Sequence, residues 1–120
     1  MSGTFADLEV WRASMEVVTR IYRLTRHFPK DEMYGLTSQI RRAAVSVPSN
    51  IAEGKGRASD RELSQFLCVA RGSLFEIQTQ LHIAEKLGYV SKEEAESVQR
   101  ETVRVCQMLN ALLRSVRPAA

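Results

Sequence analysis

Proline and glycine are scarce in this 120-residue chain, three and six in all, too few for a fibrous or disordered polymer. No apolar run approaches the roughly 18–20 residues that a membrane-crossing helix needs, so no membrane role is expected. Histidine occurs twice, at His27 and His82, and neither has an acidic residue at the Glu-x-x-His spacing of di-iron bundles. Both read as surface or helix-end residues. Cys68 and Cys106 lack a CxxC spacing and sit inside apolar helical patterns, which suits small buried thiols better than a disulfide or a metal pair. Ser46 and Ser49 have no histidine near them and no strand-turn-helix elbow, so a hydrolase would lack its base and its geometry. The expectation is therefore no enzyme, no metal and no cofactor. Met1-Ser2-Gly3-Thr4 has neither the basic patch nor the apolar segment of an export signal, and Arg41-Arg42 lies too deep for a twin-arginine signal. Cytoplasm is the expected location.

What the chain does have is 44% apolar residues and enough length for one domain with a core of its own. Four segments carry the three- and four-residue spacing of amphipathic helices, and none alternates with period two. The first covers about 7–27, opened by Asp7 and Glu9 and closed by Arg23, Arg26 and Pro29. The second covers about 36–53, with Leu36, Ile40, Ala43, Ala44, Val47 and Ile51 on one face. Pro48 removes a backbone donor inside it, so the helix kinks or ends early, and a kinked continuous helix is the preferred reading.

Ser59-Asp60-Arg61-Glu62 and Ser91-Lys92-Glu93-Glu94 have the spacing of capping boxes. They open helices over about 60–87 and 92–116, the third closed by Gly88 and the fourth by Pro118. Short loops make consecutive helices antiparallel neighbours. The expected fold is all-α, an up-down-up-down antiparallel four-helix bundle.

Two helices carry more apolar surface than such a bundle consumes. The first has two stripes, one of Leu8, Trp11, Met15, Val18 and Tyr22, the other of Val10, Val17, Ile21, Leu24 and Phe28. On the third, Phe75 projects off the core stripe near Cys68 and Gly72. Both excesses point to self-association, with Val10, Val17, Ile21, Leu24 and Phe75 as the expected subunit contact in a closed, ring-like homo-oligomer.

Along the second helix Gln39, Arg42, Ser46, Asn50 and Glu53 recur at steps of three and four, forming a polar seam beside the apolar face. One reading is a half-buried hydrogen-bond network with Ser73, Glu76 and Gln80 that fixes packing register. The other is a ligand or nucleic-acid groove with Arg42 and Asn50 as donors. Gly54-Lys55-Gly56-Arg57 reads as a flexible turn, or as a weak phosphate cradle lacking the ending of a P-loop.

Charge is uneven: residues 1–57 hold nine Lys+Arg against six Asp+Glu, and residues 58–120 hold eight of each. Arg12, Arg20, Arg23, Arg41, Lys55 and Arg57 are candidates for a positive surface that binds RNA or DNA, strengthened by avidity in an oligomer.

The stretch Tyr34-Gly35-Leu36-Thr37-Ser38-Gln39-Ile40-Arg41-Arg42-Ala43-Ala44-Val45-Ser46-Val47-Pro48-Ser49-Asn50-Ile51-Ala52-Glu53-Gly54 closely resembles the signature of the 23S rRNA-intervening sequence proteins. Leu8-Glu9-Val10-Trp11, Phe28-Pro29, Ala70-Arg71-Gly72-Ser73-Leu74 and Leu87-Gly88-Tyr89 extend the resemblance. It implies a four-helix bundle assembled as a homopentamer, with no enzymatic activity attached. That family is similar in turn to the accessory variability protein of diversity-generating retroelements, a basic pentamer that partners a reverse transcriptase and nucleic acid. Non-catalytic scaffolding on nucleic acid or nucleoprotein is thus the leading expectation, and a purely protein-protein interaction module the alternative.

Overall fold

Four helices carry the fold: α1 (Glu9–Thr25), α2 (Leu36–Lys55), α3 (Asp60–Lys86) and α4 (Lys92–Val116), with a short 3-10 turn at Lys30–Glu32. The computed structural model describes Phe5 and residues 8–116, and no strand occurs among them. The expected opening at Asp7 and stop at Pro118 lie outside the described residues. Both serines cap their helices, and at Ser91 the box is reciprocal. Ser59 Oγ accepts the Glu62 N–H at 3.2 Å, and Ser91 Oγ accepts the Glu94 N–H at 3.1 Å while the Glu94 carboxylate accepts the Ser91 N–H at 3.1 Å. α3 ends where Gly88 turns left-handed at φ +78°, with the Tyr89 N–H reaching Ala84 O at 2.9 Å and the Gly88 N–H reaching Glu85 O at 3.0 Å.

α2 starts differently, because Gly35 stands at its N-cap and brings no side chain. Glu32 fills the role from the preceding turn: its Oε1 accepts the Leu36 N–H at 3.0 Å, and its Oε2 accepts the Tyr89 hydroxyl at 2.8 Å. One carboxylate thus caps α2 and ties it to the α3–α4 loop. A Cβ at Gly35 would come within 2.7 Å of Glu32 Oε1, so a side chain there would push the carboxylate off the Leu36 amide. The bond to the Leu36 amide, then the bond to Tyr89, hold the Glu32 carboxyl below its ordinary value near 4.5.

α2 runs unbroken through Pro48 and two residues past the expected end, taking in Gly54 and Lys55. Gly54 is not a break. It is buried, and a Cβ there would lie 2.9 Å from Phe66 Cβ and 3.0 Å from Leu63 Cδ1, so α2 and α3 approach closely at this glycine. From that point the core extends through Ile51, Val47, Ile40, Leu67, Leu74 and Leu81, all buried to within 1%. α1 adds Val10, Val17 and Ile21, and α4 adds Val98, Val105 and Leu109. A smaller cluster of Phe28, Leu36, Ala84, Val90 and Ala95 closes one end, with Leu24 packed against both.

Each helix packs beside two others in cyclic order, α1 on α2, α2 on α3, α3 on α4 and α4 on α1. Ser46 meets Ser73 at 2.8 Å while Gly54 meets Phe66, and Arg71 meets Asn110 at 3.0 Å while Gln99 reaches Gln78 O at 2.9 Å. The molecule measures 45 × 23 × 22 Å.

Gly54→Ala should lower the melting temperature, since overpacking costs about 1–3 kcal/mol and exceeds the helix-propensity gain of about 1 kcal/mol. Gly56→Ala, whose Cβ meets only backbone oxygens at 3.6 Å or more, should leave it unchanged or raised. Equal effects of the two would contradict the close approach.

Because the Glu32 pKa is depressed on folding, its contribution is complete above about pH 4.5 and is lost as pH falls through the lower folded value. The stability gap between wild type and Glu32→Gln should therefore be widest near neutrality and narrow below about pH 4.5 in acid-titrated thermal melts. A gap independent of pH would contradict the role given to the carboxylate.

Candidate functional site

Helical geometry gives α1 two seams, and the structure decides between them. Val10, Val17 and Ile21 are 5%, 1% and 0% exposed, inside the chain's own core, so they are not available to a second subunit as expected from sequence. Leu24 is half-buried between the two core clusters. The outward seam is the other one: Leu8, Trp11 and Val18 lean on the core, whereas Met15 and Tyr22 are exposed. Compact β-branched residues fill the interior, while a thioether and a phenol tolerate the half-wet position. On α3 the expectation for Phe75 stands apart from this correction, since its ring is 50% exposed. Gly72, one turn away on the same outer face, would have nothing within 4 Å of an added Cβ.

The polar seam divides. At its centre Ser46 Oγ meets Ser73 Oγ at 2.8 Å, and Asn50 Nδ2 donates to Ser46 O at 2.8 Å and to Ser46 Oγ at 2.9 Å. The half-buried Ser46 and Asn50 and the buried Ser73 form a rung between α2 and α3. Gln39, Arg42 and Glu53 are exposed, and so is Glu76, which leaves them outside the rung. Gln80 is buried, and its Oε1 has no hydrogen-bond donor among the described residues. The seam is thus a packing rung with exposed polar ends. Asn50 is spent on Ser46, while Arg42, eight residues earlier, stands exposed.

The basic residues are spread along the long axis and several are committed. Arg20 pairs with Glu101 and donates to Ser97 Oγ at 2.6 Å, across the α1–α4 contact. Arg41 Nε donates to Thr25 Oγ1 at 2.8 Å, and its guanidinium lies 4.6 Å above the Tyr22 ring. Arg57 pairs with Glu53 at 2.8 Å and covers Phe66 at 4.9 Å. Arg12, Arg23 and Lys55 are exposed. Arg23 lies near the α1 end beside His27, in an open cleft of about 430 Å³ that Glu93 and Glu94 also line. Lys55 lies at the far end of α2. The phosphate cradle suggested by the Gly54–Arg57 stretch does not form, because Gly54 is packed under Phe66 and Arg57 is held by Glu53.

Chemistry-bearing groups stay apart. His27, in the turn after α1, and His82, on α3, are exposed and apart, and among the described residues no three His, Cys, Asp or Glu side chains are placed to hold a metal ion. Burial pushes the Cys106 thiol above its usual value, with Arg71 acting weakly in the other direction, so it stays protonated. No helix among the described residues is long and apolar enough to cross a membrane. Sequence reasoning missed Glu32 and the groove between α1 and α2, where Trp11, Met15, Val18, Val45, Pro48 and Ala52 line an open cavity of about 320 Å³. The missing Ser, Thr, Asp or Asn before Leu36 was the available signal for the first. The 3-4-3-4 spacing of Leu8 to Tyr22 was the signal for the second.

Comparison with known proteins agrees with this architecture. A crystal structure of a protein of unknown function from the S23 ribosomal protein family of Bacteroides thetaiotaomicron superposes with a TM-score of 0.82, at 22% identity, covering 88% of this chain and 98% of that one. At that identity the likeness speaks for the fold. No curated protein matches the chain. The family model of the 23S rRNA-intervening sequence proteins matches residues 6–111, and the chain belongs to that family.

Proposed function

We propose that the chain is a non-catalytic assembly module, an up-down-up-down bundle that associates with copies of itself and works through protein-protein contact. The opposed residue order at the Ser46–Ser73 and Gly54–Phe66 contacts, and again at Arg71–Asn110 and Gln78–Gln99, supports that topology. One observation carries the functional reading: the outer face of α3. Turning 100° per residue, it presents Gln65, Cys68, Val69, Gly72, Phe75, Thr79 and Ile83, with Glu76 as the formal charge on the arc and Arg71 at its edge, turned to Asn110 of α4. Val69, Phe75 and Ile83 are all at least 41% exposed. A mid-helix glycine costs about 1 kcal/mol relative to alanine, and nothing in this chain occupies the space it leaves. Close approach by a second copy accounts for both the glycine and the half-wet Phe75, and burying such side chains gains roughly 1.5–3 kcal/mol each. Among the possible closures, a ring of five subunits is the one that the family resemblance favours.

Nucleic-acid binding is the weaker reading. Arg20, Arg41 and Arg57 are engaged within the chain, and the exposed Arg23 and Lys55 stand at opposite ends of the molecule. A net charge of +3 supports only weak, salt-sensitive attraction until an assembly repeats it. A reverse transcriptase or other protein partner is compatible with an assembly module without being required by it.

Light scattering of the wild-type chain should give a mass several times 13.5 kDa at micromolar concentration. Phe75→Glu and Gly72→Gln should both lower that mass while leaving helical circular dichroism intact, because neither position is packed within the chain. A wild-type mass of one chain, or variants that assemble as well as wild type, would refute the proposal.

A further inference from the structure

The groove between α1 and α2 lies on another face of the bundle and has its own chemistry. Leu8, Trp11, Met15, Val18 and Tyr22 follow steps of three, four, three and four, the a/d spacing by which one helix receives another. Met15 and Tyr22 are 37% and 39% exposed, and α2 supplies the facing wall with Val45, Pro48 and Ala52. Among the described residues that line the groove there is no carboxylate. The charges beside it are arginines: Arg26, the C-cap residue one turn beyond Tyr22, and Arg41 and Arg42 on α2. Arg41 is pinned by Thr25 and by the Tyr22 ring through its Nε and its planar face. Its terminal amino groups have no partner among the described residues. We propose that this groove docks an amphipathic helix of a partner protein, whose apolar a/d stripe is flanked by Asp or Glu.

Heptad spacing selects a helix as the occupant, and the arginine flanks select an acidic one. The aromatic rings are poor platforms for bases, since Tyr22 is covered by the Arg41 guanidinium and Trp11 meets the Phe5 ring edge-on at 5.2 Å. A second copy of the chain does not fit the requirement. Its acidic helix surfaces are at the start of α3, at Asp60 and Glu62, and at the start of α4, at Glu93, Glu94 and Glu96; the apolar residues beside them, Leu63 and Phe66 against Gly54 and Ala95 and Val98 at 1% and 2% exposure, are already packed within the chain. The docking surface is therefore separate from the α3 face.

Trp11 is the only tryptophan in the chain, and it lines this groove, so its emission reports occupancy directly. The probes are two synthetic three-heptad peptides with leucine at a and d, one with glutamate at e and g and one with lysine there. The glutamate peptide should shift Trp11 emission saturably and bind at least about tenfold more tightly than the lysine peptide, a preference that shrinks as salt rises. Met15→Glu and Val45→Glu, at exposed positions, should each abolish the response, whereas Phe75→Glu should retain it even where assembly is lost. No response to the glutamate peptide would overturn the proposal, as would equal responses to both peptides. A comparable response to anionic lipid vesicles or to polyuridylate would overturn it in favour of a membrane or RNA surface.

Discussion

The close approach of α2 to α3 at Gly54 sets the frame for the rest of the molecule. With no side chain at that position, Phe66 and Leu63 press against the α2 backbone, and the two helices stay in register from there to the Ser46–Ser73 rung. Ile51, Val47, Ile40, Leu67, Leu74 and Leu81 fill the space between, and α1 and α4 close over the remaining sides. Within the long motif between Tyr34 and Gly54, the buried face of Ile40, Val47, Ile51 and Gly54 and the Ser46–Asn50 pair serve this packing. Its glycines answer steric demands, Gly35 to make room for the Glu32 carboxylate and Gly54 to make room for α3. Its serine and asparagine form the rung. Once those residues are used for packing, fewer are left to act on a ligand, and the surfaces that remain are the outer arc of α3 and the groove beside α1.

Electrostatics follow the same division. A pI near 9.1 invites an expectation of polyanion binding, yet Arg20, Arg41 and Arg57 are spent on an α1–α4 ion pair, a Tyr22 stack and an α2 ion pair. Exposed pairs of this kind are worth about 0–1 kcal/mol apiece, so they orient side chains more than they stabilise the fold. Positive charge persists beside the α1–α2 groove, whose described lining residues include no carboxylate. The α3 arc, by contrast, has almost no charge. Two surfaces of such different character on one small bundle are suited to different partners.

The helices themselves were legible because the 3.6-residue period is a property of single segments. Capping boxes at Ser59 and Ser91 and the left-handed Gly88 mark their ends through local chemistry alone. What could not be read was any choice that depends on which way a helix is rotated. α1 carries two stripes of nearly equal apolarity, and sequence assigned Val10, Val17 and Ile21 to a subunit contact when they are core residues. Their compact shapes fit between α2 and α4, whereas Trp11 and Tyr22 have polar edges that need not be desolvated. The Gly54–Arg57 stretch misled for a related reason: a glycine demanded by a neighbouring helix looks, in one dimension, like a glycine that ends a helix. Glu32 escaped notice because its two partners are the first amide of α2 and a tyrosine 57 positions away.

The central claim is that the outer face of α3 is covered by another copy of the chain. Fluorine NMR of a 4-fluorophenylalanine placed at position 75 measures that covering directly, through the shift of the resonance between light and heavy water. The account predicts a small solvent-isotope shift at high protein concentration, growing on dilution as the assembly dissociates and the half-exposed ring returns to water. A large shift that stays the same at every concentration, with the ring as wet as it is in the isolated chain, would contradict it.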